Sequence, residues 1–307
     1  MTERRALVTG ATGFVGRRLT AYLADRGWDV VGCGMPPEPG VLACDVRDEA
    51  QLDEVLEAAG EVSHVFHLAA IAFVPQATRE PDLAFSVNLQ GTIRLIHKML
   101  ARVPRARLLF VSSSEVYGPP QQLPMDEAHP LNPGNPYAIS KMAADLYCSF
   151  SARAHGLDVV CARPFNHSGA GQTGDYVLPN FARQIATIEA GQKPPVIDVG
   201  NLEAARDFSH VTDVLRAYEA LALKGHSGEA YNICSGSAVT IQEALNLLLS
   251  MAKCPIEVRQ DPARMRPSDV PVAYGSSEKL RAHTGWTPET SLKDLLQELL
   301  DYWRGQV

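Results

Sequence analysis

Three glycines, Gly10, Gly13 and Gly16, stand between an apolar run from Arg4 to Thr9 and a stretch where Phe14, Val15, Leu19, Tyr22 and Leu23 recur at helical spacing. The run reads as a short buried strand and the stretch as a helix reaching about Arg26, closed by Gly27; the glycines fall where one turns into the other. A side chain at such a turn would hold the chain away from any ligand. Without one, backbone N–H groups and the positive end of the helix can approach a pyrophosphate. Gly10, Thr12, Gly13, Phe14, Val15 and Gly16 are therefore the candidate phosphate-binding residues. Their spacing is Gly-x-x-Gly-x-x-Gly, which differs from the Gly-x-Gly-x-x-Gly fingerprint of other dinucleotide turns.

Strand-like runs recur at Asp29 to Gly34, Val41 to Val46, Val62 to Leu68, Leu108 to Ser112 and Asp158 to Ala162, with helical patterns between them. Such alternation predicts an α/β fold built on a doubly wound parallel sheet, with ligands at the carboxyl ends of the strands. Asp48 with Gln51 predicts a capping box that opens a helix to about Ala59. At the third strand's end, the Asp45 carboxylate beside Val46 suits an adenine amino group, and a turn or helix-cap role for Asp45 is as good a reading. At the fourth, the small run Leu68, Ala69 and Ala70 lets a dinucleotide lie against backbone, and His67 reads as a packed core histidine. The second strand ends in Gly34-Met35-Pro36-Pro37, with neither an acidic residue for the ribose hydroxyls of NAD nor an arginine for the phosphate of NADP.

The fifth strand closes on Ser112-Ser113-Ser114-Glu115, and Asn135-Pro136-Tyr137-Ala138-Ile139-Ser140-Lys141 follows at the start of a helical pattern. Tyr137 and Lys141 share a helix face. Bringing a phenol from pH ~10 toward neutrality needs about 3 units, or ~4 kcal/mol. A positive charge ~4 Å away in an effective dielectric of ~20 supplies about that much, so Lys141 is expected to lower the Tyr137 pKa. Ser113 at the strand end is positioned to hydrogen-bond a substrate oxygen.

The 307 residues are 46% hydrophobic and 21% charged, which suits a globular chain with a large core. A net charge of −7 argues against a nucleic-acid surface. The six cysteines show no Cys-x-x-Cys pair and read as reduced thiols of a cytoplasmic protein, and no metal site is read. The N-terminus enters a strand pattern at once, and no apolar run nears the length of a membrane span, so neither a leader nor a membrane partner is expected.

Gly-x-x-Gly-x-x-Gly, the strand-end serine and Tyr-x-x-x-Lys, in that order, resemble the extended short-chain dehydrogenase/reductase family, and within it the nucleotide-sugar epimerases, dehydratases and reductases, over nearly the whole chain. The resemblance implies a Rossmann domain over 1–165 that binds NAD(P)(H), and a smaller C-terminal α/β lobe over 166–307 that takes the substrate, with later segments returning to the first domain. It makes Ser113, Tyr137 and Lys141 catalytic, with Tyr137 and Lys141 also on the cofactor, and it makes Glu115 the C5 base of a dehydratase. By the same resemblance Ser114 and Asn166 contact substrate and His167 lies near the cofactor. Arg206 in Arg206-Asp207-Phe208 and Arg266 in Asp261-Pro262-Ala263-Arg264-Met265-Arg266-Pro267 hold a diphosphate, with Arg183 and Arg264 as weaker candidates. Two helical stretches, about Asp82 to Ala101 and Pro136 to Ala154, imply a homodimer with a four-helix interface.

Within that family, Pro164-Phe165-Asn166-His167, Gly169-Ala170-Gly171-Gln172 and the run from Gln260 to Arg266 are most similar to reductases of a GDP-linked 4-keto-6-deoxy sugar. A GDP-mannose dehydratase, or another family member that uses Glu115 such as a decarboxylase or epimerase, is the alternative. The arginine-rich loop of the dehydratases after the second strand, and their arginine pair after Asn-His, have no counterpart here. A non-catalytic dinucleotide sensor would have no need of Ser113, Tyr137 and Lys141 together.

Overall fold

The computed structural model describes residues 4–265 and 270–307. The first half alternates as β1 (Arg5–Thr9), α1 (Phe14–Asp25), β2 (Asp29–Gly34), β3 (Leu42–Ala43), α2 (Glu49–Ala59), β4 (His64–His67), α3 (Val74–Arg79), α4 (Pro81–Phe85), α5 (Thr92–Arg102), β5 (Arg107–Val111), α6 (Pro136–His155) and β6 (Val159–Pro164). The second half continues as β7 (Asn166–Ser168), α7 (Val177–Glu189), β8 (Val196–Val199), β9 (Ala205–Arg206), β10 (Phe208–His210), α8 (Val211–Lys224), β11 (Ala230–Ile233), β12 (Val239–Thr240), α9 (Ile241–Ser250), β13 (Glu257–Gln260), β14 (Val272–Ala273), α10 (Glu278–Thr284) and α11 (Leu292–Arg304).

Seven strands pair in parallel in the order β11-β6-β5-β4-β1-β2-β3. Both faces of this sheet are covered, which is why its strands are apolar on both sides. Leu19 and Leu23 of α1, Val214, Tyr218 and Leu221 of α8, and Leu280 of α10 fill one face. Leu52 and Leu56 of α2, Leu95 and Met99 of α5, and Ala144 and Cys148 of α6 fill the other. Thus β11, α8 and α10, all later than residue 166, return to the main sheet. A separate core joins α7, α9, α11 and β8. No helix of the described residues is long and apolar enough to cross a membrane, and all six cysteines are free thiols.

Three local expectations are corrected. The third strand has two residues, not the six from Val41 to Val46, because the Arg47 N–H donates to Asp45 Oδ1 (2.9 Å) and turns the chain out of this edge position. Asp48 caps α2 through the Ala50 and Gln51 N–H groups, but no capping box forms, because Gln51 Oε1 accepts from the Asp45 N–H instead (2.8 Å). The single helix expected from Asp82 to Ala101 is interrupted by a π-helical turn over Ser86–Gly91. There Gly91 lies against Val46, so that a Cβ would come 2.6 Å from its Cγ2.

The first turn sets the tightest constraint. A Cβ at Gly16 would sit 2.0 Å from the Gly10 carbonyl oxygen, a backbone atom that cannot swing aside. Gly16→Ala is expected to cost about 2–3 kcal/mol of stability through overpacking and to be read as a lowered midpoint in urea unfolding; a loss below ~0.5 kcal/mol, ordinary for a tolerated surface change, would contradict this packing.

Candidate active site

The candidate dinucleotide cradle is built where β1, β2 and β4 end. Gly10, with φ +70°, is pressed so close to the end of β4 that a Cβ would lie 2.7 Å from the Ala69 nitrogen and 2.9 Å from the Leu68 carbonyl carbon. Gly13 begins α1 with no side-chain cap, so the first N–H groups of Phe14, Val15 and Gly16 end the helix at the cradle without a side chain in front of them. Thr12 Oγ1 donates to the Met35 carbonyl (3.2 Å), and a Cβ at Gly34 would meet that hydroxyl at 2.9 Å. A surface of bare backbone with the positive end of a helix beneath it fits a pyrophosphate-bridged dinucleotide.

The other cofactor candidates are distributed around this cradle. Val46 is buried. The Asp45 carboxylate is held by Arg47, whose Nε donates to both of its oxygens at 2.9 and 3.0 Å, and this pairing lowers the Asp45 pKa against the effect of burial. That carboxylate thus already has a partner, as the turn-forming reading requires. Ala69 donates its N–H to Thr9 Oγ1 (3.3 Å), the same hydroxyl that meets His67 Nδ1 at 2.7 Å. His67 is a buried core residue with a pKa pushed down to about 3, first by burial and then by Lys141. Beyond Pro37, Glu38 of the loop after β2 pairs with Arg17 of α1; neither residue was singled out by sequence, since each alone looks like ordinary surface charge.

The candidate reaction centre lies where β5 gives way to a 3-10 turn over Ser114–Tyr117. Ser113 caps this turn, accepting the Glu115 N–H (3.2 Å), and its hydroxyl is near enough to Tyr137 to act on the phenol. Asn135 caps α6, its Oδ1 accepting the Ala138 N–H (2.9 Å) while its Nδ2 donates to Glu115 Oε2 (3.2 Å). The same asparagine therefore aims the helix that carries Tyr137 and restrains Glu115. An asparagine before a proline is a legible helix start, but the tie to Glu115 is not. Asn88 of the π-helical turn was also missed. Its amide bonds both backbone groups of Ile71 (2.8 and 3.2 Å) and donates to Ser140 Oγ (2.9 Å), joining the segment after β4 to α6.

The expected lowering of Tyr137 by Lys141 is not what the structure shows. Burial drives the Tyr137 pKa well above the usual phenol value; Ser113 opposes this, and Glu115 and Tyr176 add to it. Lys141, 2% exposed, is itself drawn down to about 8 by burial, against the carboxylate of Asp145 and the thiols of Cys148 and Cys161. Its Nζ lies 4.7 Å from the centroid of the Phe110 ring. Desolvation penalises both charged forms and outweighs the pairing. A phenol held protonated is the state a proton donor needs. Tyr176, in edge contact with Phe73 at 5.7 Å, was read from the sequence only as the start of a helix.

The substrate-side candidates gather in part. Asn166 and His167 lie on β7, which pairs with β10 in the register Phe208↔Asn166 and Ser209↔His167, bringing the run after Arg206 alongside them. His167 Nδ1 meets the Phe165 carbonyl at 3.0 Å, and burial lowers its pKa. Arg206 donates to the carbonyls of Ala205 (2.9 Å) and Val270 (2.6 Å). Arg183 lies over Gly174, where a Cβ would meet its Cζ at 2.7 Å. Asn180 ties this region together: it donates to the Gly174 carbonyl (2.8 Å) and accepts from Gln184 (2.8 Å) and Arg264 Nη1 (3.4 Å). Arg266 lies outside the described residues. Ser114 stands within the 3-10 turn beside Ser113.

The profile of the family described as GDP-mannose 4,6 dehydratase matches residues 35–299 of the chain. A GDP-6-deoxy-D-mannose reductase of Pseudomonas aeruginosa is 38% identical over 100% of this chain and 99% of that protein. Among solved structures, RMD from Pseudomonas aeruginosa complexed with NADPH superposes with a TM-score of 0.90 at 36% identity, covering 99% of this chain and 100% of that one. A UDP-glucose 4-epimerase of Thermotoga maritima with UDP-glucose gives 0.88 at 26% identity, over 98% and 99% of the two chains.

Because Lys141 loses its proton as the pH rises through about 8, any turnover that needs its ammonium is present below that pH and falls above it. The rate at saturation, followed from neutral pH to about pH 10, is expected to show that descending limb; a rate flat throughout would mean that the ammonium is not required.

Proposed function

Because the chain belongs to the GDP-mannose 4,6-dehydratase family of nucleotide-sugar enzymes, we propose that it is an NAD(P)H-dependent reductase of the C4 ketone of GDP-4-keto-6-deoxy-D-mannose, giving GDP-D-rhamnose. The observation that carries this reading is the full-length identity of 38% to a GDP-6-deoxy-D-mannose reductase. The site chemistry supports it. The cofactor supplies hydride to the ketone carbon when bound. Tyr137 gives its phenolic proton to the oxygen as negative charge develops there, and the Ser113 hydroxyl steadies that oxygen with a hydrogen bond. The Lys141 ammonium then offsets the tyrosinate that proton transfer leaves. On this reading Gly10, Thr12, Gly13, Phe14, Val15 and Gly16 hold the pyrophosphate, with residues 45–46, 68–70 and His167 along the dinucleotide. Ser114, Asn166, Arg183, Arg206 and Arg266 hold the GDP-sugar. We take 1–165 as the cofactor domain and 166–307 as mainly the substrate lobe of a cytoplasmic enzyme.

A 4,6-dehydratase is the second reading, favoured by the carboxylate of Glu115, which would take the C5 proton. Against it, Glu115 is exposed and accepts from Asn135 Nδ2, a structural use that needs no proton abstraction. Reduction of a ketone needs no such base. Glu115→Gln is therefore expected to keep most of the NAD(P)H-dependent reduction, whereas Tyr137→Phe lowers turnover by about 10²–10⁴-fold with cofactor affinity held. Conversion of GDP-mannose to a 4-keto product by the wild type with oxidised cofactor, abolished by Glu115→Gln, would install the dehydratase.

The dimer is supported by an apolar stripe on α6: Ile139 (38% exposed), Leu146 (51%) and Phe150 (44%) face outward on one side of the helix. Light scattering at micromolar concentration is expected to give twice the chain mass, reduced to one by Phe150→Glu. A monomeric wild type would contradict the dimer.

A further inference from the structure

Asp145 follows Lys141 by one helical turn, on the face that carries Tyr137 and Lys141 toward the sheet. It is 1% exposed, and its carboxylate is gripped by one edge of a buried guanidinium: Arg163 Nε donates to Oδ2 at 2.9 Å and Nη2 to Oδ1 at 3.0 Å. The third nitrogen, Nη1, donates to the hydroxyl of Tyr117 (3.1 Å). Tyr117 in turn donates to Asn232 Oδ1 (2.7 Å), and Asn232 donates to the Met125 carbonyl (3.0 Å). Tyr117 and Asn232 are both fully buried.

This chain of bonds joins the segments that bear the reaction centre. Tyr117 ends the 3-10 turn whose cap is Ser113 and which contains Glu115; Asp145 belongs to α6 with Tyr137 and Lys141; Arg163 belongs to β6, which leads directly to Asn166 and His167. A buried ion pair adds little net stability compared with well-packed apolar residues of similar volume, so stability alone is a weak reason for its presence. We propose that Arg163 is a positioning residue for the reduction: clamped on Asp145 and bonded to Tyr117, it fixes Ser113 and Glu115 relative to Tyr137 and governs how much of the Asp145 charge reaches Lys141.

The charge around Lys141 makes the second half of this inference specific. Asp145 and Cys148 face it from α6, Cys161 from β6 and His67 from β4, with the Phe110 ring of β5 beneath its Nζ. Among these, Asp145 is the carboxylate, and it favours the ammonium against burial. Arg163 neutralises that carboxylate at short range, so the pair holds the proton affinity of Lys141 between two extremes.

The inference rests on the reductase reading for its kinetic half and is independent of it for the other half. Tyr117→Phe, which removes only the hydroxyl bridge, is expected to lower the rate at saturation about tenfold with Michaelis constants for sugar nucleotide and cofactor unchanged within about twofold. Asp145→Leu/Arg163→Met removes both charges together while keeping volume, so that it folds without a buried unpaired ion. In this variant the descending alkaline limb and the NMR titration of isotope-labelled Lys141, followed without any substrate, are both expected to move to lower pH. Wild-type kinetics in Tyr117→Phe, or a Lys141 titration unmoved in the double variant, would overturn the inference. A wild type that reduces no 4-keto sugar, with the Lys141 titration still displaced in the double variant, would defeat the reductase reading and leave the Asp145–Arg163 coupling standing.

Discussion

One face of α6 carries a phenol, an ammonium and a carboxylate at successive turns, and the fold presses that face against the ends of β5 and β6. Burying ionisable groups costs free energy unless each finds a partner, and the rest of the site can be read as the set of partners. Arg163 meets Asp145 and Ser113 approaches Tyr137, while Lys141 lies over the Phe110 ring. Burial outweighs the mutual help of Tyr137 and Lys141, so the phenol stays protonated and the ammonium is only modestly held. Such a pair is prepared to give a proton and then to have the resulting anion stabilised, which is the order of events a ketone reduction requires.

The interleaving of the chain ties its later segments to its first helix. After β7 the turn at Gly169–Gln172 is fastened at both ends of a small polar cluster: the Ala170 N–H donates to Glu298 of α11 (2.8 Å), Arg18 of α1 bonds the Ala170 carbonyl, and the other Glu298 oxygen meets His210 Nε2 at 2.7 Å. α1 is thereby joined to the turn after β7 and to the last helix of the chain. A nucleotide sugar held among β7, β10 and α7 would share rigid elements with the cofactor, and alignment of a ketone with a nicotinamide would come from the scaffold and not from mobile loops.

What was legible in the sequence was what local backbone physics decides. Gly10 and Gly16 could be read because only a residue without a Cβ allows a strand to turn into a helix so tightly, and Tyr137 and Lys141 could be read because helical spacing alone puts them on one face. The doubly wound sheet followed from the alternation of elements. What long-range contacts decide was not legible: the π-helical turn after Phe85 ends where Gly91 lies against Val46, and the role of Asn88 exists only once Ile71 and Ser140 are beside it. The direction of the Tyr137 pKa was misjudged for the same reason, because spacing gives the distance to a charge but not the depth of burial. The contacts that bring Arg183 and Arg264 near each other, Gly174 with Arg183 and Asn180 with Arg264, are likewise long-range and were not legible.

Hydride delivered from the reduced nicotinamide to the ketone carbon leaves an isotopic mark on the product. The wild-type chain would be given GDP-4-keto-6-deoxy-D-mannose and NADH or NADPH carrying deuterium at both positions of the nicotinamide C4, and the product analysed by mass spectrometry and NMR. The expected product is a 6-deoxy GDP-sugar with a single deuterium, bound to the sugar C4. A product without deuterium at C4, or no consumption of the 4-keto sugar with either cofactor, would contradict it.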